Sequence, residues 1–248
     1  MFLIIILYML FASTFTIGKA ALAYTTPIFL IALRMLCAGI LLLAYQYCYN
    51  YRFWRCRWND WYDLFRISLF EYYGAFVLEF IALQWLTSSK ACLIYNISPF
   101  ITAILGYALL GEQMSIKQII GLMIGFLGFI PIFWATTPTE QLLGSAAFIS
   151  VPELLQLGSV ICASYGWIIL KQTQRKGYTT VMINGITMTV AGMMALITSL
   201  IVEGQPILTP PGNCASYSLP GLCNFSVFIL IMVNILQAYH FLLDTRLP

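Results

Sequence analysis

Arg34, within 27–49, and Glu71 and Glu79, within 64–86, are ionisable residues well inside long apolar runs. The two glutamates are eight positions apart. At 100° per residue on an α-helix that spacing leaves them about 80° apart, on one broad face. A carboxylate in an apolar run does one of two kinds of chemistry. It binds a cationic group, or it carries a proton. The plain alternatives are a structural ion pair or, for Glu71, a place close enough to one end to reach water. Arg34 lies about one-third of the way into its run. It either pairs with a carboxylate of the following run or meets an anionic group of a ligand.

Other residues extend the candidate site. Pro99 lies in the run 90–110, where it interrupts a helix and frees a backbone carbonyl about one turn earlier, near Tyr95. Asn96 stands beside it and offers a polar contact. Tyr72, Tyr73, Trp85, Tyr95 and Trp167 either line a cavity for a ring-bearing ligand or simply pack. Gly111 and Glu112 form a hinge after this run, where Glu112 either acts as a gate or fixes the hinge by bonding the backbone N–H groups that open the next helix. Lys19 and Lys90, near run ends, are expected to snorkel to water. Gly121, Gly125 and Gly128 give small-residue spacing that lets a neighbouring helix approach closely. The seven cysteines have no CxxC or CxxH spacing and the chain has one histidine, so the pattern offers no metal site, no cofactor site and no catalytic triad. Cys214 and Cys223 share a polar loop and are either a disulfide pair or free thiols. His240 reads as interfacial.

The elements that must position these residues follow from composition. The chain of 248 residues is 61% hydrophobic and 8% charged, with a mean hydropathy of +0.88. A soluble domain is about one-quarter charged, so the solvent of this chain is the bilayer. A net charge of +3 argues against nucleic acid as a partner. The opening MFLIIILYMLFASTFTIG lacks a basic start and a small-residue cleavage site and reads as a retained span. Apolar runs near 2–22, 27–49, 64–86, 90–110, 118–135, 152–171, 181–203 and 225–243 predict an all-α, polytopic membrane bundle of about eight transmembrane helices. Arg52, Arg55, Arg57, Arg66, Lys171, Arg175, Lys176 and Arg246 all fall on one side of that arrangement, while 136–151 and 204–224 hold no Lys or Arg. The positive-inside rule then places both termini in the cytoplasm. Trp54, Trp58 and Trp61 fit an interfacial belt on the same side.

The chain also carries a faint echo of itself. Tyr24-Thr25-Thr26, with Ala38-Gly39 further on, matches Tyr178-Thr179-Thr180, with Ala191-Gly192 further on. The offset is 154 residues at the tyrosines (178 − 24) and 153 at the glycines (192 − 39). The two spans run in opposite directions, which is the inverted repeat of many secondary transporters.

The stretch 82–133 resembles the EamA family of the drug/metabolite transporter superfamily. The residues that carry the likeness are Ala82-Leu83, Ala91, Pro99, Gly111-Glu112, Gln118, Gly121 and Gly128, joined by the run from Pro27 to Gly39 with its Leu33-Arg34 pair. The resemblance implies ten helices in two inverted five-helix repeats around a central cavity. Residues 1–135 would be the first repeat, 136–151 an extracytoplasmic loop, and 152–248 an incomplete second repeat of three helices. Counterparts of the fourth and fifth helices are not found in it, so a homo- or heterodimer that completes the bundle is one expectation. The expected function is secondary transport of a small metabolite by alternating access in a bacterial inner membrane. An arginine and a glutamate in one cavity suit a zwitterion, whether amino-acid-like, nucleotide-like or S-adenosylmethionine-like. The alternative is a non-transporting truncated paralogue or a subunit of a larger assembly. An enzyme is not expected.

Overall fold

A computed structural model describes residues 14–22, 25–49, 60–111, 115–128, 145–146 and 149–204. These residues form helices α1 (14–21), α2 (Pro27–Tyr49), α3 (Trp61–Trp85), α4 (Ser88–Tyr95), α5 (Ser98–Leu110), α6 (Ile116–Leu127), α7 (Val151–Gln174) and α8 (Thr180–Val202). A two-stranded hairpin, Ser145–Ala146 with Ile149–Ser150, precedes α7. Five described segments are long and apolar enough to cross a membrane: α2, α3, α4 with α5, α7 and α8. The chain is a polytopic helical bundle. The expected span 225–243, the arginines at 52, 55 and 57 and the residues Cys214, Cys223, His240 and Glu112 lie outside the described residues.

The bundle is centred on α2 and α8, which lie side by side and antiparallel in one register. A Cβ on Gly39 would sit 2.5 Å from Thr189 Oγ1 and 2.7 Å from its backbone nitrogen, and one on Gly192 would sit 2.9 Å from the backbone nitrogen of Leu36. Gly185 approaches Leu43 in the same way, at 2.9 Å from its Cδ2. Both helices are apolar, so no difference in solvent preference drives them together in lipid. Small residues let the backbones close to dispersion range. The 153-residue offset maps the Gly39–Thr189 contact onto the Leu36–Gly192 contact (39 + 153 = 192; 36 + 153 = 189). Because a new methyl on Gly39 meets backbone, Gly39→Ala is expected to cost about 1–3 kcal/mol by overpacking. A melting series in detergent checks this, and an unchanged midpoint would mean the helices part freely.

Two helices depart from regular α geometry. In α3, residues Ser68–Gly74 are π-helical, and the N–H of Ala75 reaches the carbonyl of Phe70, five residues back. Gly74 permits the wider turn, since a Cβ there would lie 2.9 Å from the carbonyl of Leu69. The 80° angle expected between Glu71 and Glu79 assumed an unbroken α-helix, and the π turn corrects it by adding a residue to the path. The second departure is the break at Asn96–Ile97 between α4 and α5. The helix stops before Pro99, which then occupies the first turn of α5, where its missing N–H costs nothing. The interruption expected at Pro99 thus falls just before it, as a break between two helices.

Polar contacts close the bundle at both ends. At one end Lys19 donates to the Leu86 carbonyl. At the same end Glu203, just past α8, accepts from the N–H groups of Ile28 (2.9 Å) and Phe29 (3.1 Å) and from Thr26 Oγ1 (2.7 Å). These amides open α2 and have no partner within the helix, and a carboxylate is favoured there by the helix dipole. At the opposite end Lys176 bridges Asp60 and Asp63, each at 2.7 Å, and the Tyr178 hydroxyl donates to Asp60 at 2.5 Å. These two carboxylates hold the Lys176 ammonium above the usual lysine range.

Between α5 and α6, Gly111 takes a left-handed φ of 65° and ends the helix, as a hinge glycine should. The Ser115 hydroxyl accepts from the Gln118 N–H, and the Gln118 side chain accepts from the Ser115 N–H, which caps α6. Of the two glycines in α6, Gly125 packs against the ring of Phe100, while Gly121 faces open space.

Candidate functional site

Arg34 is placed by the helix it sits on. It lies in α2 among Ile31, Ala32, Met35 and Ala38, all at most 1% exposed, and is itself 1% exposed. Its guanidinium stacks over Phe76 (4.1 Å to the ring centre) and Phe80 (4.9 Å), which are one turn apart on α3. Two aromatic faces attract the cation, but they leave the N–H groups unused. Nε, Nη1 and Nη2 are all buried without a hydrogen-bond partner. A guanidinium presents five donors in a fixed fork matched to a carboxylate. Among the described residues, no side chain fills that fork.

Glu79 is the nearest compensation. It is 5% exposed and lies within electrostatic reach of Arg34, with no ion pair between them. On α3, Glu79 is about 60° round from Phe76, which meets α2, and about 100° round from Leu78, which meets α7 at Gly158. The carboxylate thus points into the sector between α2 and α7. Cys92 and Tyr95 of α4 lie on the far side of that sector, and both are electrostatic neighbours of Glu79. Tyr95 is also within electrostatic range of Arg34 and Glu71, and its ring meets Phe15 edge-on at 5.7 Å.

Glu71 enters from the π-helical turn. Its backbone is pressed against Gly166 of α7, and its Oε2 is buried without a partner. Beside it the Tyr72 hydroxyl donates to Asn184 Oδ1 of α8 at 3.1 Å. The structure therefore gathers Arg34, Glu71, Glu79 and Tyr95 into one interior. Asn96 lies at the helix break on the exposed surface and is not brought to them. Trp167 packs against the main core, with the Lys171 ammonium 4.5 Å above its ring.

One expectation is overturned. Lys90 does not snorkel. It is buried, and its ammonium lies 2.6 Å from Glu153 Oε1, with the two side chains 7% and 0% exposed. The other Glu153 oxygen accepts the N–H of Ser150 at 2.6 Å. The reason is that α7 starts with Ser150-x-x-Glu153, a capping box whose carboxylate is buried and needs a cation. That serine–glutamate spacing was visible in the sequence. Asn184, Gln156 and Glu203 gave no comparable signal, because their partners or their isolation depend on which helices meet.

A multi-pass helical membrane bundle with charged and polar groups collected in its interior is the architecture of a transporter. The match to family models makes this specific: the EamA-like transporter family covers residues 1–134, and the chain belongs to that family. It is 31% identical, over 204 residues, to the "S-adenosylmethionine/S-adenosylhomocysteine transporter" of Chlamydia trachomatis serovar D, covering 82% of this chain and 62% of that protein. The protein of the same name from Chlamydia muridarum is also 31% identical, with 82% and 64% covered. An uncharacterised Bacillus subtilis transporter, YvbV, is 26% identical, with 81% and 63% covered. The chain thus spans less than two-thirds of the length of these relatives. One solved crystal structure superposes with a TM-score of 0.60 at 18% identity, over 93% of this chain and 75% of that one, a likeness of fold.

Proposed function

We propose that this chain is a secondary carrier for an S-adenosylmethionine-like zwitterion, working by alternating access in a bacterial inner membrane with both termini in the cytoplasm. The observation that carries the reading is the buried, unfilled fork of Arg34 with two carboxylates, Glu79 and Glu71, in the same interior. A substrate α-carboxylate completes the fork, and an ammonium or sulfonium group answers the glutamates. The names of the chlamydial relatives point to the same chemistry. In this reading residues 1–135 are the first of two inverted repeats and 152–248 belong to the second. The matched contacts Gly39–Thr189 and Leu36–Gly192 support that division.

The test is uptake of labelled S-adenosylmethionine by cells expressing the chain, with unlabelled S-adenosylhomocysteine as competitor. Wild type is expected to accumulate label, and Glu79→Gln to reduce uptake to background at equal membrane abundance. Absence of uptake by an inserted wild-type chain, or normal uptake by the variant, overturns the proposal.

A further inference from the structure

We propose that Gln156, with Ser159, is the part of the site that reads a nucleobase edge. This rests on the zwitterion reading above and adds a second recognition point to it. Gln156 is 0% exposed, and both its amide nitrogen and its amide oxygen are buried without a hydrogen-bond partner. Ser159 is 0% exposed, and its hydroxyl is likewise unpartnered. The two residues are three apart on α7 and therefore neighbours on one face. Buried amides are nearly always satisfied. Here a donor, an acceptor and a hydroxyl are left open side by side.

Their position follows from two contacts. Glu153 on α7 pairs with Lys90 on α4. Gln156 lies three residues further along the same helix, on nearly the same face and about 4.5 Å deeper. On α4, Cys92 and Tyr95, the neighbours of Glu79, stand two and five residues beyond Lys90. The α3–α7 register agrees, since Gly158 lies against Leu78. The contacts Leu78–Gly158 and Glu71–Gly166 thus set Gln156 within about 3 Å of the height of Glu79 along the bundle.

The chemistry selects the ligand. A neutral amide offers one donor and one acceptor together in one plane. It matches a group that returns an acceptor and a donor in one plane, as the N7/N6 edge of adenine does. Arg34 would then hold the carboxylate end of the substrate and Gln156 the base.

The test compares three competitors of labelled S-adenosylmethionine uptake: S-adenosylhomocysteine, adenosine, and S-methylmethionine, which has the zwitterion and the sulfonium but no base. Gln156→Met keeps the volume and removes both hydrogen-bonding groups. It is expected to weaken competition by adenosine and S-adenosylhomocysteine about tenfold or more, while S-methylmethionine competes as before. Ser159→Ala, too small a change to prevent folding, should shift adenosine in the same direction by a lesser factor. If neither variant separates adenosine from S-methylmethionine, Gln156 holds only water or packs, and this inference falls while the zwitterion reading stands. If the wild-type chain moves no S-adenosylmethionine, both fall.

Discussion

Removing both interior charges, in the variant Arg34→Met/Glu79→Gln, is expected to make the protein more stable and, on the carrier function proposed above, unable to transport. Arg34 is 1% exposed with three nitrogens unpartnered, and Glu79 is 5% exposed without an ion pair. Taking a charge out of water costs several kcal/mol even after relaxation, and ring stacking on Phe76 and Phe80 returns only about 0.5–2 kcal/mol each. Replacing such a pair by neutral groups of similar volume is often stabilising by about 1–4 kcal/mol. The measurement is a melting or denaturant series on the purified variant beside an uptake assay. A protein kept below its stability optimum at one spot is the mark of a working site. Should the double variant unfold, Arg34 holds the bundle together and the site lies elsewhere. Arg34→Lys sharpens the test. It retains the charge but loses the planar fork, so weaker substrate binding at normal insertion is expected.

The second large effect concerns Lys90 and Glu153. Their ion pair is buried, at 2.6 Å, so removing one partner strands the other. Lys90→Met and Glu153→Gln are each expected to cost about 3–5 kcal/mol. The double variant should recover most of that loss, because the glutamine oxygen can still accept the Ser150 N–H that Glu153 Oε2 accepts now. A double-mutant cycle measured by unfolding gives the coupling directly. Small and additive single effects would mean that water reaches the pair. The contrast with Arg34 separates two kinds of buried charge: one answered by the protein and one left for something else.

The helices were legible because hydrocarbon imposes a length and an apolar composition that few other constraints imitate. The run 27–49 coincides with α2, and 181–203 falls within one residue of α8 at either end. Arg34, Glu71 and Glu79 were legible for the converse reason, since ionisable residues stand out against apolar sequence. Backbone irregularities were harder. Pro99 announced a break but not its place, and nothing in Ser68–Gly74 announced a π turn. Pairings between distant helices were not legible. Lys90 has many acidic residues to choose from until the bundle sets α4 against α7, and Gln156 is an ordinary residue until its surroundings leave it without a partner.

The Glu203 contact bears on how the molecule is made. The amides that open α2 wait for a carboxylate 174 to 175 residues further along the chain. Until residue 203 has left the ribosome, the start of α2 has no such anchor and α8 is not there to pack on it. An early helix is thus finished by a much later one, and the seam between α2 and α8 closes only once α8 has been made.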